Sequence, residues 1–393
     1  MRNRALTLGT LAFALSFMVW GLVSPLAPGL QKLFGLSNTQ VSLLIAIPVL
    51  LGSLGRLPMG VLTDLFGARK VFTVLMAVQL VPLALMSLAN SYGALIGVSF
   101  LLGIAGTSFA VGVPFVSKWF PAEKQGLAVG VYGAGNIGQA LAAMIAPRIA
   151  DAYGWHAAFV VMLLPVAVFT VLFWFLARDA AQPAGKSSFA ANMKAVQGDS
   201  MTWLLAFFYF LTFGGFVAFS NYIPKLYVDL FGMTKATAGS YAALFVFLTT
   251  AMRPLGGWLA DKVGGARILP WLFAVATLLG AQLVAAPSLL YFHPAVLGIG
   301  LAFGLGNGVV FKLVPQYFPK QTGTVTGIVG AMGGLGGFFP PLLMGMFRDR
   351  LGSYDGGFAL LALFGALSFL GALMLAAGKW PVRVEKPAAA KQA

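Results

Sequence analysis

Two stretches of sequence decide the fold: GRLPMGVLTD at residues 55–64 and MRPLGGWLAD at residues 252–261. In each stretch an arginine precedes an aspartate by eight residues, and Arg56 and Arg253 stand 197 positions apart. A glycine motif recurs with the same offset, so that Gly126, Gly130 and Gly133 match Gly323, Gly327 and Gly330. Two separate motifs that share one offset indicate an internal duplication, and they predict two homologous halves.

The composition around these motifs is that of a chain whose main solvent is lipid. Hydrophobic residues make up 59% of the chain and charged residues 9%, and the mean hydropathy is +0.90. A soluble domain carries about 25% charged residues, which is far more. Cysteine is absent and the two histidines, His156 and His293, lie far apart in sequence. We therefore expect no disulfide, no metal site, no cofactor and no enzymatic activity, and we assign the histidines no role.

Apolar segments long enough to cross a bilayer, about 20 residues each, recur along the chain. The first follows Arg2 and Arg4 and is interpreted as a retained helix and not a cleaved signal peptide, because the run is long and lacks a clear cleavage site. Twelve segments are predicted, at 5–27, 40–62, 70–89, 92–116, 125–147, 155–177, 201–222, 236–259, 267–286, 289–313, 322–346 and 356–378. They predict an all-α membrane protein with twelve transmembrane helices in two pseudo-symmetric six-helix bundles.

The predicted domains are an N-terminal bundle at 1–177, a linker at 178–200, a C-terminal bundle at 201–378 and a basic tail at 379–393. With both termini inside, 16 lysines and arginines fall in inner loops and tails and 6 in outer loops, Lys225 among the outer ones. This asymmetry predicts a plasma-membrane protein with cytoplasmic termini. It also accounts for most of the net charge of +15, so no nucleic-acid partner is expected.

Arg56 and Arg253 are predicted to lie near the middle of the membrane. Eight helical residues span roughly 12 Å, and the hydrocarbon core is about 30 Å thick. An arginine at that depth costs about 2.5–3.5 kcal/mol on insertion scales, and the predicted segments contain no carboxylate to pair with it. We therefore expect an anion between the two guanidinium groups, whose planar donor forks suit planar oxyanions. The alternative is that the arginines donate to helix carbonyls or cap a gate.

Several motifs carry a resemblance to known transporters. The loops DLFGAR and DKVGGAR resemble the loop motif of the major facilitator superfamily. A resemblance to the nitrate/nitrite porter family within it is carried by two glycine-rich runs. The residues just before the first run and part of the tenth segment also resemble that family. These motifs lie at 64–69, 261–267, 126–138, 327–340, 117–121 and 306–315.

The resemblance implies a monomeric secondary transporter of nitrate and/or nitrite. Arg56 and Arg253 would clamp the anion, and Asn136 would donate an amide hydrogen bond to it. Three aromatic residues would line the pocket, although ordinary helix packing is the competing interpretation for each of them: Tyr209, Phe213 and Phe109. The loop motifs imply conformational control by Asp64, Arg69, Asp261 and Arg267, and the two aspartates are expected to bind arginines or helix N-termini across a cytoplasmic gate.

Four further positions are weaker candidates. Gly133 and Gly333 would let backbone approach a small ligand, or they serve only the close packing of helices that small residues permit. Lys312 and Asn307 are placed in the inner vestibule, where Lys312 either reaches the interface or attracts anions.

The sequence leaves several alternatives open. Coupling could be nitrate/nitrite exchange or proton symport, and the absence of a membrane carboxylate favours exchange slightly. The nearest rival is an exchanger of another small anion, such as an organic acid or a phosphate ester, on the same fold. A cation-coupled porter would show a membrane carboxylate, and a non-transporting receptor would need a soluble signalling domain.

Overall fold

The structure is a computed structural model that describes residues 1–180, 196–285, 288–318 and 322–381. Within the helices it does not describe the side chains of residues 61, 64–65, 122–127, 315 and 322–324. Most of the predicted linker and the tail beyond residue 381 lie outside the described residues. The described part of the chain is helical and contains no strand.

In the described part of the chain twelve helices cross the bundle, and five of them are interrupted. The interrupted ones are α1 (Arg2–Trp20 and Val23–Phe34), α2 (Asn38–Leu54 and Arg56–Phe66), α4 (Tyr92–Leu102 and Ser108–Ser117), α5 (Ala122–Gly133 and Ile137–Tyr153) and α11 (Thr322–Leu335 and Phe339–Leu351). The others are α3 (Ala68–Met86), α6 (Trp155–Leu176), α7 (Ser200–Phe231), α8 (Lys235–Leu259), α9 (Gly265–Val284), α10 (Leu289–Tyr317) and α12 (Asp355–Ala376).

The connection between α8 and α9 is a turn of π-helix and not the loop that the sequence predicted. Ala260–Gly264 forms this turn, so that Lys235–Val284 is one helical stretch of 50 residues. A straight helix of that length would measure about 75 Å, far more than the roughly 30 Å of hydrocarbon. The chain reverses at Gly264, whose φ of +93° is accessible to glycine at little cost. Eleven helical stretches therefore make twelve crossings in the described chain.

The prediction placed the ends of α1 and α7 too early. Both helices continue past the apolar windows of the sequence, to Phe34 and Phe231. Lys225, predicted in an outer loop, consequently lies inside α7 with a side chain that is 0% exposed. The polar residues in this last part of α7 pair with one another, as Lys225 does with Asp229. The helix can therefore continue beyond the point at which hydropathy alone predicts its end.

The two ends of the bundle differ in how closely the first six helices (the N-half) and the last six (the C-half) approach. We name them the Arg2 end and the Phe34 end, after the ends of α1. Near the Phe34 end, Ser42 and Tyr222 share a hydrogen bond of 2.6 Å, and Gln139 donates to Asn221 at 2.8 Å. These buried contacts join helices of opposite halves.

Asn38 is the centre of the contacts that close the Phe34 end. Its side-chain oxygen accepts from Lys225 Nζ at 3.0 Å, and its side-chain nitrogen donates to Asp349 Oδ1 at 2.9 Å. Lys225 also donates to Gln31 at 2.7 Å and to Asp229 at 2.5 Å. An amide of the N-half thus bridges a cation and an anion of the C-half, and we call Asn38, Lys225 and Asp349 the Asn38 latch.

The Arg2 side of the interior is more open. A Cβ added at Gly130, Gly133, Gly327 or Gly330 would meet no atom within 4 Å. Further along the same helices the packing is tight, and a Cβ at Gly138 would lie 1.8 Å from a backbone oxygen of α1. The first part of each glycine-rich run therefore borders open space, and the second part lets helices touch.

Candidate anion site

Arg56 lies at the interruption of α2 and reaches into the interface between the halves. Gly55 separates the two pieces of α2, and the Arg56 side chain is buried, with 6% of the residue exposed. Its Nε donates to the Gly106 carbonyl at 3.4 Å and its NH1 donates to the Gly330 carbonyl at 3.1 Å. Gly106 belongs to the 3-10 turn of α4, and Gly330 belongs to α11 of the opposite half. Arg56 thus makes the helix-carbonyl contacts that the alternative interpretation expects, and they engage two of its five N–H donors.

Arg253 enters the same region from the C-half. Its NH2 donates to the Tyr209 hydroxyl at 3.3 Å. Its NH1 is buried and has no hydrogen-bond partner among the described residues. A buried donor without a partner costs about 1–3 kcal/mol, and more when it is charged. Arg253 is therefore the less satisfied of the two guanidinium groups.

Phe213 connects the two arginines. The guanidinium carbons of Arg56 and Arg253 lie 5.3 Å and 5.7 Å from the centroid of its ring. Tyr209 stacks on Phe213 with 5.0 Å between centroids and 1° between planes, and Phe109 lies 5.8 Å from the Arg56 guanidinium. Among the described residues no carboxylate oxygen forms an ion pair with either arginine. The structure thus brings two cations and three predicted aromatics together without a protein anion.

Asn136 lies at the 3-10 turn in the middle of α5. The residue is 1% exposed, and both its amide nitrogen and its amide oxygen lack a partner among the described residues. One and two turns later, Gln139 and Ala143 contact α7 and α8 of the C-half. Residues at this helical spacing share a face, so Asn136 faces the C-half with unused hydrogen-bonding capacity.

The two candidate glycines have different surroundings. A Cβ at Gly333 would lie 2.3 Å from Cδ1 of Tyr209, so this glycine lets the α11 backbone lie against the Tyr209 ring. Phe311 packs edge-on against the same ring at 4.7 Å. Gly133 borders open space instead. Gly333 therefore supports the aromatic wall, whereas Gly133 leaves room beside it.

Two of the four predicted gating residues, Arg69 and Asp261, contact residues of their own halves. Arg69 donates to the Trp174 carbonyl from Nε at 3.0 Å and from NH2 at 2.6 Å, and its backbone nitrogen donates to Asp179. Among the described residues Asp261 forms an ion pair with Lys312 of its own half, whereas an arginine or a helix N-terminus across a gate was expected. Arg267 is exposed, and the Asp64 side chain lies outside the described part of the structure.

The two predicted vestibule residues have different surroundings in the structure, and the sequence analysis missed one buried lysine. Lys312 is 47% exposed at its side chain and is paired, so its charge is compensated by Asp261. Asn307 does not line an open vestibule, since it is 1% exposed. Lys225 was missed because the hydropathy window ends before it. The signal that could have found it is its spacing of four residues from Asp229, which is typical of an ion pair on one helix face.

Comparison with known proteins shows the family to which the chain belongs. The family model described as Major Facilitator Superfamily matches residues 9–341. The chain is 44% identical over 365 residues to the nitrite extrusion protein of Bacillus subtilis (strain 168), which covers 93% of this chain and 92% of the relative. It is 41% identical to the probable nitrate transporter NarT of Staphylococcus carnosus (strain TM300), with 93% and 94% covered.

A solved structure supports the fold independently. The inward-facing, unoccupied structure of a bacterial homologue of the human lysosomal transporter Spinster superposes with a TM-score of 0.70, at 17% identity, over 96% of this chain and 95% of that one. A sequence identity of 17% supports a shared fold and carries no information about function. The sequence match and the shared fold agree, and the chain belongs to the major facilitator superfamily, in its nitrate/nitrite porter family.

Proposed function

We propose that this protein transports nitrate and/or nitrite across the membrane by alternating access, with the anion held between Arg56 and Arg253. One observation carries the proposal: guanidinium groups from opposite halves approach the same Phe213 ring, and neither forms an ion pair with a carboxylate of the described residues. A planar anion with in-plane oxygens matches the guanidinium forks and offsets their mutual repulsion. Because each arginine belongs to a different half, binding the anion couples to the approach of the halves.

The relatives support the choice of anion. One is named a nitrite extrusion protein and others are named probable nitrate transporters. The donors on hand suit a small monovalent oxyanion: the unpartnered NH1 of Arg253, the amide of Asn136 and the Tyr209 hydroxyl. The nearest alternative is an organic acid or phosphate ester. It is less favoured because the aromatic rings of Tyr209, Phe213 and Phe109 crowd the two cations.

The direction in which the site opens follows from topology. The excess of positive charge in the loops at the Arg2 end supports a cytoplasmic location for that end, and the position of Lys225 inside α7 removes one cation from the outer loops, which strengthens the asymmetry. The Asn38 latch then closes the extracellular side, while the open space beside Gly133 and Gly330 lies toward the cytoplasm. We propose a cytoplasm-facing arrangement, from which the halves rock about the arginine pair.

We propose anion exchange as the mode of coupling. The arginines contact carbonyls, a phenol and aromatic rings, and none of these is a carboxylate that would carry a proton at neutral pH. The measurement is counterflow in proteoliposomes: internal nitrite should accelerate uptake of labelled nitrate at constant pH on both sides. Uptake that needs an inward proton gradient and gains nothing from internal nitrite would establish symport instead.

The binding experiment tests the site directly. Purified protein is titrated with nitrate, nitrite, chloride, phosphate and oxalate in a calorimeter, together with Arg56→Lys and Arg253→Lys variants. A lost charge-assisted hydrogen bond is worth about 1.5–3 kcal/mol, so either variant should bind nitrate roughly 10- to 100-fold more weakly. Arg350→Lys, at an exposed arginine that belongs to neither the site nor the loop motifs, is the matched control and should bind like the wild type. Binding of oxalate or phosphate but neither nitrate nor nitrite would overturn the choice of substrate.

A further inference from the structure

A second buried amide lies in the C-half, close to the proposed site. Asn307 on α10 is 1% exposed, and its amide nitrogen and oxygen both lack a partner among the described residues. A buried polar atom without a hydrogen bond costs about 1–3 kcal/mol relative to a paired one. A leucine would fill the same space without this cost. The presence of an asparagine therefore calls for an explanation from the groups around its amide.

The packing of α10 against α7 fixes the face on which Asn307 lies. The ring of Phe303 comes within 2.3 Å of the position that a Cβ would take at Gly215. The ring of Phe311 packs edge-on against Tyr209 at 4.7 Å. Asn307 is four residues from each phenylalanine, and residues at that spacing lie one above the other on a helix. Asn307 therefore faces α7, one turn away from the ring contact with Tyr209.

The packing of α10 against α8 fixes its depth. A Cβ at Gly304 would lie 2.2 Å from the Thr249 carbonyl oxygen, and one at Gly308 would lie 2.2 Å from the Arg253 carbonyl oxygen. Asn307 is the neighbour of Gly308, so it stands at the level of Arg253. Together the two helix crossings place the amide at the seam between α7 and α8, where Arg253 NH2 donates to the Tyr209 hydroxyl.

We infer that Asn307 is a positioning residue for Arg253: its amide oxygen accepts from the Arg253 guanidinium and holds that group toward the anion. Arg253 NH1 is a buried donor without a partner, and the Asn307 oxygen is a buried acceptor without one. A hydrogen bond between these two atoms would satisfy both groups at once. This inference rests on the proposed function, because it assigns Asn307 a role at the same anion site.

The test compares Asn307→Leu and Asn307→Asp with the wild type in the same calorimetric titration and in a thermal melt. Leucine has a similar shape and removes the orphan polar atoms, so the melting temperature should stay constant or rise while nitrate binds roughly tenfold more weakly. Aspartate puts a carboxylate beside Arg253, which should satisfy the guanidinium internally and weaken binding by more than leucine does. If Asn307 had a purely structural role, the Asn307→Leu variant would melt at a lower temperature and keep its affinity for nitrate. That result would overturn the inference.

Two controls make the outcomes separable. Ser368→Ala removes another buried unpartnered polar group, on α12, and it should leave affinity unchanged. In an Arg253→Lys background, Asn307→Leu should have little further effect on affinity, since residues that act through one another are not additive. If the wild type binds nitrate and Asn307→Leu binds it equally well, only this inference fails. If the wild type binds none of the tested anions, the proposed function fails and this inference fails with it.

Discussion

Substituting the central residue of the Asn38 latch should open the Phe34 end of the protein. Asn38→Ala removes two hydrogen bonds that cross between the halves, from Lys225 Nζ at 3.0 Å and to Asp349 Oδ1 at 2.9 Å. Hydrogen bonds to charged groups are worth about 1.5–3 kcal/mol each. Asp349 is exposed to solvent, and both partners keep other bonds: Lys225 with Gln31, and Asp349 with the α2 N-terminus. We therefore expect a net shift of about 1.4 kcal/mol, or tenfold in the population open at this end.

The chain offers a direct assay because it contains no cysteine. Ser24 is buried and donates to the Asn221 carbonyl across the interface, so Ser24→Cys reports on opening at the Phe34 end with a minimal change in size. The rate of modification by a polar thiol reagent in purified protein should rise about tenfold when Asn38→Ala is added, in line with the population shift.

The matched control removes a hydrogen bond that stays within one half. Gln282 donates from its side chain to the Tyr291 carbonyl at 3.1 Å, and both residues belong to the C-half. Gln282→Ala should leave the modification rate of the Ser24→Cys reporter unchanged. An unchanged rate in the Asn38→Ala variant, with helicity retained, would refute the reasoning, because the latch would then contribute nothing to closure.

Three further predictions follow from single contacts. Gly138→Ala would place a Cβ 1.8 Å from a backbone oxygen of α1, so the melting temperature should fall by an amount equivalent to about 1–3 kcal/mol, whereas Gly130→Ala, which borders open space, should melt like the wild type. Tyr209→Phe removes the hydroxyl that accepts from Arg253 NH2 but keeps the ring, and calorimetry should show nitrate affinity reduced while the fold melts normally. Lys312→Gln breaks a half-exposed ion pair, and because such pairs contribute at most about 1 kcal/mol, the melting temperature should hardly change.

The prediction that the two arginines lie at matching depth uses only local spacing along the chain. The count of eight residues from Arg56 to the loop aspartate needs only the rise of a helix. The structure places Arg56 and Arg253 together at Phe213, from opposite halves. Their individual partners were not predictable, since Gly106 and Gly330 come from other helices. Gly330 lies 274 residues from Arg56 in sequence.

The surroundings of Lys225 and Asn307 could not be predicted from the sequence. Hydropathy treats each residue as exposed to lipid or water, so it ended α7 before Lys225. The structure buries that lysine because Gln31 and Asn38, from the other half, accept hydrogen bonds from its Nζ. In the same way, the sequence on either side of Asn307 does not indicate that its amide lies at the seam between α7 and α8.

The sequence by itself indicated a membrane protein of twelve helices, and it contains two motifs that recur at one offset, one of them with an arginine in each copy. These properties follow from composition, from the length of apolar runs and from the spacing of motifs, all of which are local or repeat along the chain. The tertiary structure alone decided which arginine is better satisfied, which buried amides are left without partners and which end of the bundle is closed. Those properties depend on contacts between helices far apart in sequence, and close packing fixes such contacts only when the whole bundle has assembled.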